Sequence, residues 1–598
     1  MRYKKFIITG YRGLQENTEI NISKSSILPI IGKNESGKTT CLEAIYCFDN
    51  SNDDENRGKH LNNIENLYST DDKPVIITAE IEIDKDFNFE KHFENELSLF
   101  REEFEVDNPT IDLNLATIEL EEIDYVNTKF VSAFQLLNKK IQASEKIEIH
   151  RNLKTKKYNI DLLEKILEEA ESSSFAEFLV KNLPYTLYFD DFRDRIPEKL
   201  FITEDKEDAL YSNWIRYINE LFKSTKEGYS VYTLPDTQDS KRRSIIREVE
   251  KHLNKRLLEE WSKYQFENAN TIEVKIDYSS DEKGSFLQFK IVEHIEVDGI
   301  ETERFFDIAD RSKGFYWYFN FMVKLCFNPS KRKIDDKDTV YLLDEPGSYL
   351  HTFALNKLAE QIKNLSINNK VIYCTHSHNL LNPNFIPINS IHLAEKTNRG
   401  VILLSKLNHK GIIRPNRNSA YQPIYDALEV RPPITEYDFD NVVLLEGIYD
   451  YYSFKMFTDN SISYFPCASA SSINNQIPYM IFLGKKYVAL WDNDGEGRAR
   501  LEKGIQLYGS KEGEKFITLD NISGNDNSRL EDYYEEKEVE LFNNEKNGKG
   551  QSFEKTVLSI FYSSEREDNI QKYFSKTKLN FSRMEKIIKE KLLQQNSN

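Results

Sequence analysis

The chain lacks long hydrophobic runs. No stretch approaches the roughly 18 apolar residues that mark a membrane-spanning helix, and no membrane partner is expected. Cysteine is scarce. Cys41, Cys47, Cys326, Cys374 and Cys467 form no CxxC pair and are odd in number, which argues against a disulfide scaffold and a thiolate zinc site and favours a reducing cytoplasm. The opening MRYKKFIITGYRGL lacks a secretory apolar core and reads as a first strand. With 22 Gly and 16 Pro the chain is neither collagen-like nor of low complexity. Positive charge is in deficit: 80 Lys+Arg against 99 Asp+Glu leave −19. That balance disfavours a non-specific nucleic-acid coat. It leaves room for an enzyme on nucleic acid, which needs only a local basic track and adds carboxylates at its metal site.

What is present suffices for several cores. Hydrophobic residues make up 39% and aromatics 12% of 598 residues, a length that suggests about three to five domains or large insertions. FIITGYRGL, SSILPIIG and VIITAEIEID are strand-like. From 88 to 265 charged helical patterns dominate, among them NELSLFREEF, DLLEKILEEA and SIIREVEKHLNKRLLEEWSKY, with YTLYFDDF as a strand returning to the core. Strands resume at TIEVKIDY and SFLQFKIVE, and a Pro-punctuated junction covers 410–440. The expected layout is therefore 1–87 and 266–425 as one α/β unit, 88–265 as a mostly helical insertion serving as arm or dimerisation element, and 426–598 as a second α/β unit.

Gly32-Lys33-Asn34-Glu35-Ser36-Gly37-Lys38-Thr39 fits GxxxxGK[ST], between an apolar strand and a helical pattern. Glycines let the backbone N–H groups face phosphate oxygens at a helix N-terminus. Lys38 is expected to reach the β/γ-phosphates of ATP and Thr39 to bind Mg²⁺, with Gly32, Asn34, Gly37 and Thr40 completing the cradle. In VYLLDEPGSYLH, Asp344 is expected to support Mg²⁺ and Glu345 to polarise a water beside the γ-phosphate. His376, ending KVIYCTH, falls where α/β sites gather and suits a γ-phosphate sensor. Ser312 and Gly314 open an aromatic helix whose N-terminus suits a phosphate from a neighbouring subunit.

A second acidic group follows. VVLLEGIYD and KKYVALWDNDGEGR are apolar strands ending in Glu446, with Asp450 one turn on, and in Asp492-x-Asp494. Four carboxylates at one sheet edge cannot all stay ionised without a cation, so Mg²⁺ or Mn²⁺ with oxygen ligands is expected there. Such ions suit phosphodiester hydrolysis. SRLEDYYEE offers Glu531 or Asp532 as a further acid. Basic runs at Lys154–Lys157, Lys241–Arg243, Lys331–Lys333 and Lys572–Lys591 suit a DNA backbone or, more blandly, solvated faces.

The long insertion between Lys38 and Asp344 resembles the ABC/SMC-type ATPases, in which an arm interrupts the nucleotide head. Asp310–Gly314 stands at the signature position, with Arg-Ser-Lys-Gly in place of Ser-Gly-Gly-Gln. The E-G-x-x-D and D-x-D-x-G pair resembles a TOPRIM domain. The order of the two units resembles the OLD (overcoming lysogenization defect) nucleases, and is similar to the Gabija nuclease subunit and retron-linked OLD effectors. The resemblance implies an ABC/SMC-like head with a helical insertion followed by an α/β TOPRIM domain. It implies an ATP-regulated, metal-dependent DNA endonuclease in anti-phage defence. By the family pattern Glu446 and Asp450 serve one metal, Asp492 and Asp494 the other, Glu531 assists, and Lys576 in FSKTKLNF, with Lys578 as its competitor, stabilises phosphate charge. A homo-oligomer, dimer or tetramer, is implied, with a helicase or a reverse transcriptase and its DNA–RNA product as candidate partners. The alternatives are an SMC-like scaffold whose second unit binds without cutting, and a topoisomerase- or primase-like enzyme.

Overall fold

The computed structural model describes residues 1–53, 60–66, 73–83, 132–140, 146–190, 195–202, 209–261, 272–297, 300–310, 312–328, 338–382, 384–407, 424, 441–459, 461–519 and 528–595. The chain divides into two units. The first comprises 1–386 and 390–406, the second 387–389 and 407–598.

The centre of the first unit is a six-stranded sheet in the order Ile402–Lys406, His392–Lys396, Ile27–Ile31, Lys370–Cys374, Val340–Asp344, Thr186–Asp190. All neighbours run parallel except the edge strand Ile402–Lys406. Strands of a parallel sheet covered on both faces read as continuous apolar runs rather than alternating ones. ILPII and VYLLD accordingly bury every residue. Pro29 sits inside this sheet, where the missing N–H normally argues against a strand. Pairing with the His392 strand begins only at Ile30, one residue beyond the proline.

A second, antiparallel sheet orders Thr18–Asn21, Arg2–Thr9, Ile76–Glu82, Ile147–Asn152 and Lys157–Asn159. It shares one core with the helix Lys38–Tyr46 and the helix Glu169–Lys181, through Phe6, Leu42, Phe48, Ile77, Ile149 and Phe175. A third sheet centres on Gly284–Val297, paired with Ile272–Asp281 on one side and with Ile300–Asp307 and Leu200–Phe201 on the other.

The stretch 88–265, expected to be a mostly helical insertion, is more helix than strand in its described part, with helices at 132–140, Glu169–Lys181, Ala209–Lys223 and Asp239–Trp261, but it also gives strands to three different sheets. IEIHRN alternates buried and half-buried positions and extends the antiparallel sheet. DLLEKILEEA is not a helix either. It makes a short 3-10 turn at Asp161–Leu163, and the helix starts only at Glu169, where Glu168 and Glu171 form a reciprocal cap. NELSLFREEF and Lys331–Lys333 lie outside the described residues, as does most of the 410–440 junction. YTLYFDDF does return to the core, as Thr186–Asp190.

The second unit is built on four parallel strands in the order Ser463–Pro466, Asn441–Leu445, Lys486–Trp491, Phe516–Thr518. The chain leaves Asn441–Leu445 towards one edge and returns on the other side at Lys486. Strand order therefore reverses between those two strands, which makes their carboxyl ends a topological switch point, the crevice where open α/β sheets bind ligands. Val442, Leu444, Ile473, Ile477 and Trp491 form the core on one face. On the helix Ile448–Phe457 aromatic rings interlock with those of later helices: Tyr452 on Phe561 with centroids 4.5 Å apart, Phe457 on Phe581 at 5.1 Å.

One buried group in the first unit couples its stability to pH. His60 is 4% exposed, its ring lies edge-on to Tyr46 at 5.0 Å, and its Nε2 has no hydrogen-bond partner among the described residues. Burial lowers its pKa to about 4, with Asp53 and Glu43 opposing. A folded-state value below the unfolded one leaves stability intact above about 6.5 and removes it as pH falls towards 4. We expect the thermal midpoint to fall between pH 6.5 and 4.5, and a His60→Phe variant to lose less over that window. The difference should reach on the order of 3 kcal/mol at the acid end. Identical acid limbs in scanning calorimetry would remove the histidine from the account.

Candidate functional site

The phosphate loop leaves the buried strand Ile27–Ile31 and enters the helix Lys38–Tyr46. Gly32 has φ 153° and Gly37, the residue before the helix, φ 95°, the positive range that glycine enters without steric cost. Both are also boxed in. A Cβ on Gly32 would stand 2.3 Å from the Ala394 carbonyl oxygen, and one on Gly37 2.3 Å from Ile402 Cδ1. The strand His392–Lys396 and the edge strand Ile402–Lys406 thus back the loop. Asn34 is exposed at its tip and Thr40 half-buried in the first helical turn. Ser36 Oγ is buried without a hydrogen-bond partner among the described residues, an unmet polar atom inside a cradle shaped for an anion.

Lys38 is 6% exposed. Its Nζ donates to the carbonyls of Gly32 (3.2 Å) and Lys33 (3.1 Å) and lies 2.7 Å from His376 Nε2. A lysine ammonium only donates, so towards Lys38 this Nε2 can only accept, and it cannot at the same time donate to a carboxylate. Burial, then Lys38, lowers the His376 pKa accordingly. Glu345 completes the group: its Oε1 is 3.0 Å from His376 Nε2 and 3.8 Å from Lys38 Nζ, and its Oε2 accepts from the His376 backbone N–H at 3.1 Å. Burial raises Glu345 above the usual carboxylate range despite Lys38. Thr39 Oγ1 donates to Asp344 Oδ1 at 3.1 Å, and burial pushes Asp344 up to about 6. Loop, Thr39, Asp344, Glu345 and His376 therefore converge at the carboxyl ends of three adjacent parallel strands. Their donor set fits a Mg²⁺-bound nucleotide: backbone N–H groups and an ammonium for phosphate, and hydroxyl and carboxylate oxygens for the ion.

Ser312 caps the helix Lys313–Cys326, its hydroxyl accepting from the Phe315 N–H at 3.2 Å. Gly314 lies under Leu350, where a Cβ would meet Cδ2 at 3.0 Å. The aromatic run is core: Trp317, Tyr318 and Phe319 are buried.

In the second unit the two strands at the switch point end in Glu446 and Asp492. The Asp492 backbone N–H donates to Glu446 Oε1 at 2.8 Å, and Asp492 Oδ1 is buried without a hydrogen-bond partner among the described residues. Burial and the neighbouring Asp494 push Glu446 up to about 7; burial, then Glu446, Glu531 and Asp494, push Asp492 up to about 7. Asp450 is raised well above the usual range by burial, then by Asp492 and Glu446. Gly497 lets the following helix start against the strand end, since a Cβ there would stand 2.0 Å from the Asp492 carbonyl oxygen. A paired contact between Asn493 and Ser528 backbones (2.7 and 3.0 Å) brings the SRLED segment to this edge.

The four carboxylates expected to share cations do not stand as a ready cage. Among the described residues no group of three or more His, Cys, Asp or Glu is placed to hold a metal ion. Asp494 is already engaged. Its Oδ1 accepts from the Gly497 N–H at 2.9 Å as a helix cap, and its Oδ2 pairs with Arg529 at 3.1 Å. Arg529 was not singled out from the sequence, although it directly precedes the acidic LEDYYEE. Glu531 is exposed on the same segment. Lys576 is exposed at the start of the helix Ser575–Gln594, and its described ion pair is with Glu535 at 3.8 Å. The basic runs are partly neutralised: Lys154 pairs with Glu65, Lys157 with Glu169, Arg243 with Asp239 and Lys572 with Glu545.

The profile of the AAA ATPase domain family matches residues 1–381, more than half of the chain and the whole stretch from the first strand past His376. The chain belongs to that family. It is an ATPase of this kind, and the fold and donor set of the first unit agree. An uncharacterised protein of Methanocaldococcus jannaschii is 31% identical over 116 residues, which is 19% of this chain; the chain spans only 27% of that relative. Solved structures similar to it include an SMC head bound to the C-winged helix domain of ScpA and the SMC head domain from Thermotoga maritima. Identities are 12% and 13% and TM-scores 0.35 and 0.28, over 68% of this chain and 98% and 100% of those chains. No described helix of the ATPase is long and apolar enough to cross a membrane.

Two features of the ATPase site escaped the sequence reading. Ile402 backs Gly37, and Tyr188 reaches Asp344. Both lie on edge strands whose position only sheet order reveals. The two glycines should respond differently to a Cβ. In a double-mutant cycle, the cost of Gly37→Ala should shrink by more than about 1 kcal/mol in an Ile402→Ala background, because the clash is with that side chain. The cost of Gly32→Ala should not change, because its clash is with backbone. Thermal midpoints and ATP affinity read both arms. Equal coupling at the two glycines would refute the backing role.

Proposed function

We propose that the chain is an ATP-controlled, divalent-metal-dependent DNA endonuclease of the OLD type, with a TOPRIM-like second unit and a role in defence against phage. The observation that carries the reading is the edge where Glu446 and Asp492 end adjacent parallel strands at a switch point, with Asp492 Oδ1 buried and unmatched. Oxygen-only donors of this kind suit Mg²⁺ or Mn²⁺. Glu446, Asp450, Asp492 and Asp494 are the proposed metal-holding residues, with Glu531 accessory. When bound, such ions activate water and stabilise the leaving oxygen of a phosphodiester. The protein's own contribution is to hold Glu446 beside Asp492 through the hydrogen bond from the Asp492 backbone N–H to the Glu446 carboxylate. Nucleotide in the first unit acts as the switch, its γ-phosphate selecting one arrangement of a homo-oligomer.

A second reading has its own support. Asp494 is engaged by Arg529, and the acids are not preassembled. This favours an ATPase scaffold whose second unit binds nucleic acid or a partner without cutting it.

Supercoiled plasmid with Mg²⁺ or Mn²⁺, with and without ATP, separates the two. The nuclease reading expects metal-dependent nicking that falls by at least about 100-fold in Asp492→Ala, the scale for losing one transition-state-stabilising group. Plasmid that stays supercoiled in every lane, with wild type still binding Mn²⁺ in paramagnetic resonance titrations, would favour the scaffold.

A further inference from the structure

The acid of the nucleotide site has a second partner. Asp344 carries two oxygens, and the structure gives them different neighbours. Oδ1 accepts from Thr39 Oγ1 at 3.1 Å; Oδ2 accepts from Tyr188 OH, also at 3.1 Å. Tyr188 stands on Thr186–Asp190, the edge strand of the six-stranded sheet, paired in register with Leu342. Successive strand residues alternate faces, so Tyr188, Leu342 and Asp344 share one face and the tyrosine reaches the carboxylate diagonally. Its ring is 5% exposed and packs against Tyr46 of the phosphate-loop helix, centroids 5.3 Å apart. The strand is fixed at its other end too, where Asn52 Nδ2 donates to Thr186 Oγ1 at 2.9 Å.

We propose that Tyr188 is a positioning residue for the ATP-site metal: its hydroxyl holds one oxygen of Asp344 so that the other stays turned to Thr39. A carboxylate on a strand end rotates freely about its last bond unless something fixes it. A buried neutral donor fixes it without adding a charge that would compete with the cation. A lysine or arginine in the same place would neutralise the acid and weaken its hold on Mg²⁺. The phenol also orders the acid before nucleotide arrives. The proposal rests on the ATPase assignment of the first unit and is independent of the nuclease reading.

The test is binding rather than turnover. Titrations of the full chain with a fluorescent ATP analogue, in Mg²⁺ and in EDTA, separate metal-dependent from metal-independent affinity. Tyr188→Phe keeps the ring and its contact with Tyr46 and removes only the hydroxyl. We expect affinity in Mg²⁺ to weaken by about 10-fold, the scale of one hydrogen bond to a charged group, and affinity in EDTA to change by less than about two-fold. The thermal midpoint without nucleotide checks that the variant folds. Asn52→Ala is the control: it loosens the same strand without touching Asp344 and is expected to show no Mg²⁺-specific loss. Equal losses with and without Mg²⁺ in Tyr188→Phe would overturn the proposal. So would the same Mg²⁺-specific loss in Asn52→Ala, which would assign the effect to strand placement, or unchanged affinity in both conditions.

Discussion

Everything in the ATPase site hangs on parallel pairing between segments far apart in the chain. Ile27–Ile31 pairs with Lys370–Cys374, which pairs with Val340–Asp344, which pairs with Thr186–Asp190. Each pairing closes a long loop, an entropic cost that grows only slowly with length, and the apolar runs ILPII, KVIYC and VYLLD offset it by burial. Parallel strands carry their carboxyl ends to the same edge. Phosphate loop, acid pair and histidine meet there because their strands point the same way, with no further device required.

The second unit repeats this logic with a different electrostatic outcome. In the first unit the acids face a buried ammonium and a hydroxyl, so negative charge is partly answered inside the protein. At the Glu446–Asp492 edge the acids mainly face one another. The described cation paired with an acid there is the exposed Arg529, on Asp494, while Arg498 donates to Asn493 between the two aspartates. Burial first, and then the neighbouring acids, push both Glu446 and Asp492 up to about 7. The two sites thus differ in what they ask of solution: the first asks for an anion with its counter-ion, the second for positive charge.

Much of this was legible in the residues because it is local. The GxxxxGK[ST] loop, Asp344-Glu345 and the two acidic strand ends each combine a buried apolar run with polar residues directly after it, and the structure places each at a strand end. The helical insertion was read too simply. IEIHRN alternates over only six residues amid charged helical patterns, and DLLEKILEEA has helical spacing but is spent on a turn under Leu163. Tyr188 and Arg529 were illegible for a different reason. Their roles depend on register and on a backbone contact, Asn493 with Ser528, that no short motif encodes. The missing cage is a similar lesson: spacing brought four acids to one edge, but a helix cap and an arginine decide where Asp494 points.

The backing of Gly37 by Ile402 has a consequence for the order in which the protein is made. The phosphate loop leaves the ribosome early, whereas the side chain that closes its rear wall is synthesised far later, on the order of half a minute at ordinary translation rates. Until then the central sheet also lacks the strands on both sides of Ile27–Ile31. A nascent chain therefore carries the nucleotide motif long before it has the nucleotide site. ATP meets its full site only after the strand that carries Ile402 has been made.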